Sequence, residues 1–116
     1  MRVLDRNEIE AFITKDGSEI REYYHSENVS LAEASLKPGQ SAEYHLHQKA
    51  VEIYYILEGE GLMEIEGEDR MVTRDQTVLI PPGSKHRIKN IGDGQLRLLC
   101  FCHPPYSDDD TTLVEE

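Results

Sequence analysis

The sequence predicts an all-β domain, a sandwich or barrel, on three observations. Short runs rich in Ile, Val, Leu and Tyr follow one another from Val29 to His103. Gly or Pro turns separate them at close, even spacing: Pro38-Gly39, Gly59, Gly67, Pro81-Pro82-Gly83, Gly92-Asp93-Gly94 and Pro104-Pro105. Helix signals are confined to the first residues.

There, Asp5-x-x-Glu8 ahead of Ile9 and Phe12 has the form of a capping box and predicts a short N-terminal helix, ended by Asp16-Gly17. Val29 to Leu36 is the first strand, halted by Lys37-Pro38-Gly39-Gln40. Glu43 to His47 follows, then Glu52 to Leu57, which ends at Glu58-Gly59-Glu60-Gly61. Leu62 to Glu66 meets Gly67 and returns as Arg70 to Arg74, a hairpin. Thr77 to Ile80 runs into the Pro81 turn, His86 to Ile91 into Gly92, and Leu96 to His103 into Pro104. The chain thus divides into an N-terminal segment (1–28), a barrel (29–106) and an acidic tail (107–116), with Asp108-Asp109-Asp110 and Glu115-Glu116 read as solvated. Within Glu52 to Leu57, Ile53, Tyr55 and Leu57 share one face and Tyr54 and Ile56 the other. A strand apolar on both faces needs two covers. The N-terminal segment or a second subunit would supply the outer one, and a homodimer is expected.

With 116 residues the chain holds one core. Hydrophobic residues at 38% and charged residues at 30% suit a globular protein, and a formal net charge of -11 disfavours nucleic acid and anionic membrane surfaces as partners. No apolar run reaches the roughly 18 residues of a transmembrane span, and the N-terminus lacks a signal-peptide core, so a cytoplasmic location is expected. Cys100 and Cys102 lie on one face of a strand, a spacing that suits buried core thiols better than a disulfide. Serine-nucleophile elbows and phosphate-binding glycine loops are absent from the sequence.

One constellation carries chemistry. Residues two apart on a strand point the same way, so His45 and His47 present their imidazoles together. Glu52 has the wrong parity for that strand, so Gln48-Lys49-Ala50 must turn and let it enter from the next one. His86 arrives from a strand far along the chain. Three imidazoles and a carboxylate suit one divalent transition metal (Mn, Fe, Ni, Zn, Co or Cu) far better than Ca or Mg. Four protein ligands leave two positions of a six-coordinate ion open, the mark of a reactive site. Glu43 shares parity with His45 and either reaches the mouth of the barrel or ends a solvated strand. Tyr54 shares parity with Glu52 and either meets a substrate or fills the core. These two are the candidate proton-handling residues. Asn90 reads as a structural hydrogen-bonding residue or an orienter of His86. His25 and His103 read as surface residues.

These residues resemble the cupin superfamily. Its first motif, G-x5-H-x-H-x4-E-x6-G, is matched by Gly39, His45, His47, Glu52 and Gly59. Its second, G-x5-P-x-G-x2-H-x3-N, is matched by Pro81, Gly83, His86 and Asn90, with Asp75 replacing the opening Gly. The resemblance implies a jelly-roll barrel, a double-stranded β-helix, and makes His45, His47, Glu52 and His86 the metal ligands. The ending, Leu98 to Tyr106 followed by Asp110-Thr111, is similar to single-domain cupins labelled mannose-6-phosphate isomerase-like. That likeness implies a metal-dependent isomerase or epimerase acting on a small, polar, sugar-like molecule. A metal-dependent dioxygenase and a non-catalytic binding or sensing module are the alternatives.

Overall fold

The computed structural model describes residues 1–115. The chain forms β1 (Phe12–Ile13), β2 (Glu19–His25), β3 (Ser30–Leu36), β4 (His45–His47), β5 (Val51–Glu58), β6 (Glu60–Ile65), β7 (Glu68–Thr73), β8 (Thr77–Ile80), β9 (His86–Asn90), β10 (Leu96–His103) and β11 (Thr111–Leu113). Two antiparallel sheets face each other, one of order β1-β2-β3-β10-β5-β8 and one of order β11-β4-β9-β6-β7. This is the all-β architecture that the turn spacing implies, in the jelly-roll form that the cupin resemblance implies.

Alternation explains the core. On β5, Tyr54 and Ile56 point inward and are buried, joined by Leu36, Leu96, Leu98 and Ile80 from the same sheet. Met63, Val72 and Ile88 meet them from the other sheet. Each such side chain contributes about 1.5–3 kcal/mol by leaving water. Gly59 lets the chain pass from β5 to β6. Its φ of 90° is one that L side chains avoid, and a Cβ there would lie 2.5 Å from the Gln95 carbonyl oxygen. Asp75, standing where the second motif has Gly, also adopts a positive φ of 69°. Asp tolerates that region better than most residues, and its Oδ1 accepts the Tyr55 hydroxyl at 3.0 Å.

The expected N-terminal helix is a single 3-10 turn, Arg6–Glu8, and Asp5 makes no side-chain cap. None of its residues is buried, so no apolar packing offsets the cost of nucleating a longer helix. Segment 1–28 instead adds β1 and β2 to the edge of the larger sheet, where β2 pairs with β3. The acidic tail is also more than solvated chain. β11 pairs with β4, Thr111 is buried, and the Asp110 carboxylate accepts the backbone N–H groups of Lys49 (2.9 Å) and Ala50 (3.1 Å).

The outer face of the larger sheet carries a buried carboxylate. Glu33 is 2% exposed and accepts hydrogen bonds from Arg6, Arg97 and the Tyr23 hydroxyl. Burial alone would raise its pKa. The bonds from Arg97, Arg6 and Tyr23 outweigh burial and hold it at about 2. The N-terminal segment is thereby fastened over part of that face. Beyond it, Tyr24, Ile53, Tyr55 and Leu79 stay exposed.

Candidate metal centre

His45 and His47 project from β4 into the barrel and are 1% and 3% exposed. His86 on β9 sits directly opposite His45 in the pairing of the two strands, with ring centroids 4.2 Å apart. After His47 the chain crosses at Gln48-Lys49-Ala50 to the opposite sheet. The Asp110 carboxylate ties that crossing, and Glu52 enters on β5 between Cys102 and Ile80. The donor atoms of His45, His47, Glu52 and His86 all lie within 4.8 Å of one another, and all four residues are buried. All four predicted ligands converge.

The outer ring nitrogens decide which tautomer each histidine holds. His45 Nδ1–H donates to the Glu43 carbonyl at 2.6 Å, and His86 Nδ1–H to the Ser84 carbonyl at 2.9 Å. His47 Nδ1 lies 3.1 Å from the Thr111 hydroxyl. That hydroxyl gives its one proton to the Ser107 carbonyl at 2.8 Å, so it accepts from His47. In its neutral form each of the three rings therefore turns a bare Nε2 inward. This is the arrangement in which a partner on the far nitrogen fixes a metal-binding histidine.

Glu52 Oε1 lies 3.1 Å from His47 Nε2 and 3.2 Å from His86 Nε2. His86 Nε2 is buried without a hydrogen bond. Lone pairs facing one another at this range repel unless a cation or a proton lies between them. Metal–ligand bonds of about 2.1 Å place neighbouring donors of an octahedron about 3.0 Å apart, close to these separations. The residues fit the metal. Glu52 Oε2 accepts the Cys102 thiol at 3.4 Å, which leaves Oε1 as the inward oxygen.

Titration directions agree with this field. Burial would raise the Glu52 carboxyl, but the neighbouring His47 and His86 rings favour its charged form and hold it well below the carboxylate range. For His47, burial works downward and the Glu52 contact outweighs it, so the ring is raised. His45 is lowered, first by burial and then by repulsion from His86. Burial pushes both thiols up, so Cys100 and Cys102 stay protonated and are poor ligands.

Beside the cluster is a cavity of about 50 Å3, lined by Asp16, Ser18, Tyr54, Cys100 and Tyr106 among others. At roughly 10–15 Å3 per water it holds a few waters or a very small ligand. Tyr54 lines it, with its ring 6.2 Å from that of His86, and burial keeps its phenol protonated. Glu43 does not line it. The regular strand begins only at His45, so the parity argument does not extend back to Glu43, whose side chain is exposed in an outer groove with Tyr44 and Arg87. Glu43 serves the site through its backbone carbonyl. Asn90 is buried away from the cavity, donating to the Leu36 (3.0 Å) and Gly94 (2.8 Å) carbonyls. His25 and His103 are exposed.

Sequence reasoning missed three residues. Thr111 orients His47, Tyr106 sets its ring 5.7 Å from that of His47, and Asp16 Oδ2 comes within 3.4 Å of His45 Nε2. None stands at a spacing that relates it to the ligands.

Two facing sheets with three imidazoles and a carboxylate gathered between them define a β-barrel with a candidate metal site. The chain belongs to the cupin family, whose Cupin domain matches residues 32–102. It is 45% identical over 114 residues to the uncharacterized protein MJ1618 of Methanocaldococcus jannaschii, covering 94% of this chain and 91% of that one. It is 34% identical over 79 residues to an oxalate-binding protein of Thermotoga maritima, covering 68% of this chain and 65% of that one. Among solved structures it resembles Pac13, a nucleoside dehydratase, with a TM-score of 0.82 at 16% identity over 99% of this chain and 92% of that one.

Proposed function

We propose that this cupin is a metal-dependent enzyme of isomerase or epimerase type, acting on a small, polar, sugar-like substrate. The observation that carries the reading is the set of bare Nε2 atoms and one carboxylate oxygen converging beside a small, partly polar cavity. When bound there, a divalent transition metal supplies Lewis-acid polarisation of a carbonyl or hydroxyl. His45, His47, Glu52 and His86 would hold it. The surrounding barrel excludes bulk water and so strengthens every charge interaction in the site. Tyr54, kept protonated by burial, offers a hydrogen-bond donor to an occupant instead of a base. The nucleoside dehydratase with the same fold supports a sugar-bearing substrate, as analogy only.

A second reading, a non-catalytic binding module, is favoured by the small cavity and by the oxalate-binding relative. A third, dioxygenase chemistry, shares the same ligand set. One screen separates them: metal-loaded protein against sugar phosphates, uronates and small dicarboxylates, with and without dioxygen. Metal-dependent turnover without dioxygen, lost in His47→Ala, is expected. Turnover that requires dioxygen selects the oxygenase, and tight binding without turnover selects the module.

Two free cysteines suit a reducing compartment, and the cytoplasm is the proposed location. A homodimer through the exposed Tyr24, Ile53, Tyr55 and Leu79 face is the proposed assembly, with no nucleic-acid or membrane partner.

A further inference from the structure

Asp16 belongs to neither motif, yet a turn aims it at the metal site. In Thr14–Ser18 the Thr14 amide donates to the Ser18 carbonyl at 3.0 Å and Gly17 N–H to the Thr14 carbonyl at 2.9 Å. Asp16 Oδ1 accepts the Thr14 hydroxyl at 2.7 Å and the Ser18 amide at 3.1 Å, so that oxygen is fully engaged by the turn. Its backbone carbonyl accepts Glu43 N–H at 2.8 Å, and Glu43 in turn holds His45 Nδ1. Lys15 Nζ donates to the Thr111 carbonyl at 2.8 Å, tying the same turn to the residue that orients His47.

Oδ2 remains. It lies 3.4 Å from His45 Nε2, in a side chain 14% exposed. The His45 proton is on Nδ1, so two lone-pair atoms face each other, as Glu52 faces His47 and His86. The separations of 3.1, 3.2 and 3.4 Å are alike, and each is close to the spacing of two neighbouring ligands on one ion. Charge points the same way. A divalent ion with Glu52 as its one carboxylate leaves a net positive charge in a buried site, which is costly unless paired. A second carboxylate makes the site neutral.

We propose that Asp16, carried by the N-terminal turn, is a fifth ligand of the metal, giving three imidazoles and two carboxylates. This rests on the metal reading above. Asp16 is not among the four residues whose donors lie mutually within 4.8 Å, and it approaches from the His45 side, so binding draws the turn inward. On a six-coordinate ion it leaves one position for an outside molecule instead of two.

Asp16→Asn is the informative variant because its amide oxygen can keep the Thr14 and Ser18 bonds while the charge and the second oxygen are lost. Mn2+ is titrated into wild-type and variant protein, with free ion followed by electron spin resonance and inner-sphere water counted by proton relaxation. The expected result is about one exchangeable water in the wild type and about two in Asp16→Asn. Affinity should fall at least about tenfold, the lower bound for losing even an outer partner of a ligand. Asp16→Ala must show the same gained water. Equal water counts, or affinities within about twofold, overturn the inference while leaving the four-ligand site intact. Failure of the wild type to bind any metal would instead sink the metal reading, and this proposal with it.

Discussion

Thr111→Val tests whether the C-terminal strand tunes the metal site. Thr111 is 2% exposed, and its hydroxyl is the partner of His47 Nδ1 at 3.1 Å. Valine keeps the shape and the β-branch, so β11 retains its strand preference and its packing. The loss is one oxygen. His47 Nδ1–H is then left unpaired in a buried place, which costs about 1–3 kcal/mol. The ring becomes free to rotate or to change tautomer, and a lost outer partner lowers metal affinity about 10–100-fold, or about 1.4–2.7 kcal/mol. The assay is a competition titration against a chromophoric chelator. Thr111→Ser serves as the control, since it keeps the hydroxyl and should bind as the wild type does. A Val variant within about twofold of wild type would refute the claim that Thr111 sets the His47 tautomer.

Other expectations follow from the same contacts. Glu33 has a folded pKa of about 2 against an ordinary 4.5, so its stabilisation is complete above pH 4.5 and is lost as pH falls toward 2. The shift corresponds to about 3 kcal/mol. Urea unfolding across pH 2–5 should therefore flatten in Glu33→Gln, and an unchanged slope would contradict the two-arginine cradle. Gly59→Ala combines a φ of 90° with a Cβ 2.5 Å from a backbone oxygen that cannot swing aside. A loss of about 2–5 kcal/mol is expected by denaturant unfolding, and a loss under about 1 kcal/mol would mean the β5–β6 passage relaxes freely.

How much was legible in the sequence depended on whether a residue declares itself by spacing. His45 and His47 follow strand parity, and the crossover needed to bring in Glu52 was forced by its odd offset from His47. The structure adds that the crossing leads to the opposite sheet. β2 was not read, because Glu19–His25 mixes charge with Tyr and none of its residues is fully buried. For Glu43 the two readings were a barrel-mouth residue and a solvated strand end; the regular strand begins only at His45 and the Glu43 side chain is exposed, as the second has it. Asp16 and Thr111 are single polar residues in turn-like or acidic surroundings. Only tertiary structure brings them to the ligands, one beside His45 and one behind His47. The outer Glu33 cradle was equally hidden, since its arginines lie 27 and 64 residues away.

The most direct test of the central claim is metal stoichiometry by equilibrium dialysis, with elemental analysis across Mn, Fe, Co, Ni, Cu and Zn. X-ray absorption of the bound ion should accompany it. One ion per chain is predicted for at least one of these metals, with imidazole scattering at about 2.1 Å. Both signals should be abolished in a His47→Ala, Glu52→Gln double variant. Binding that survives the double variant, or negligible binding of all six metals to folded wild-type protein, would contradict the account.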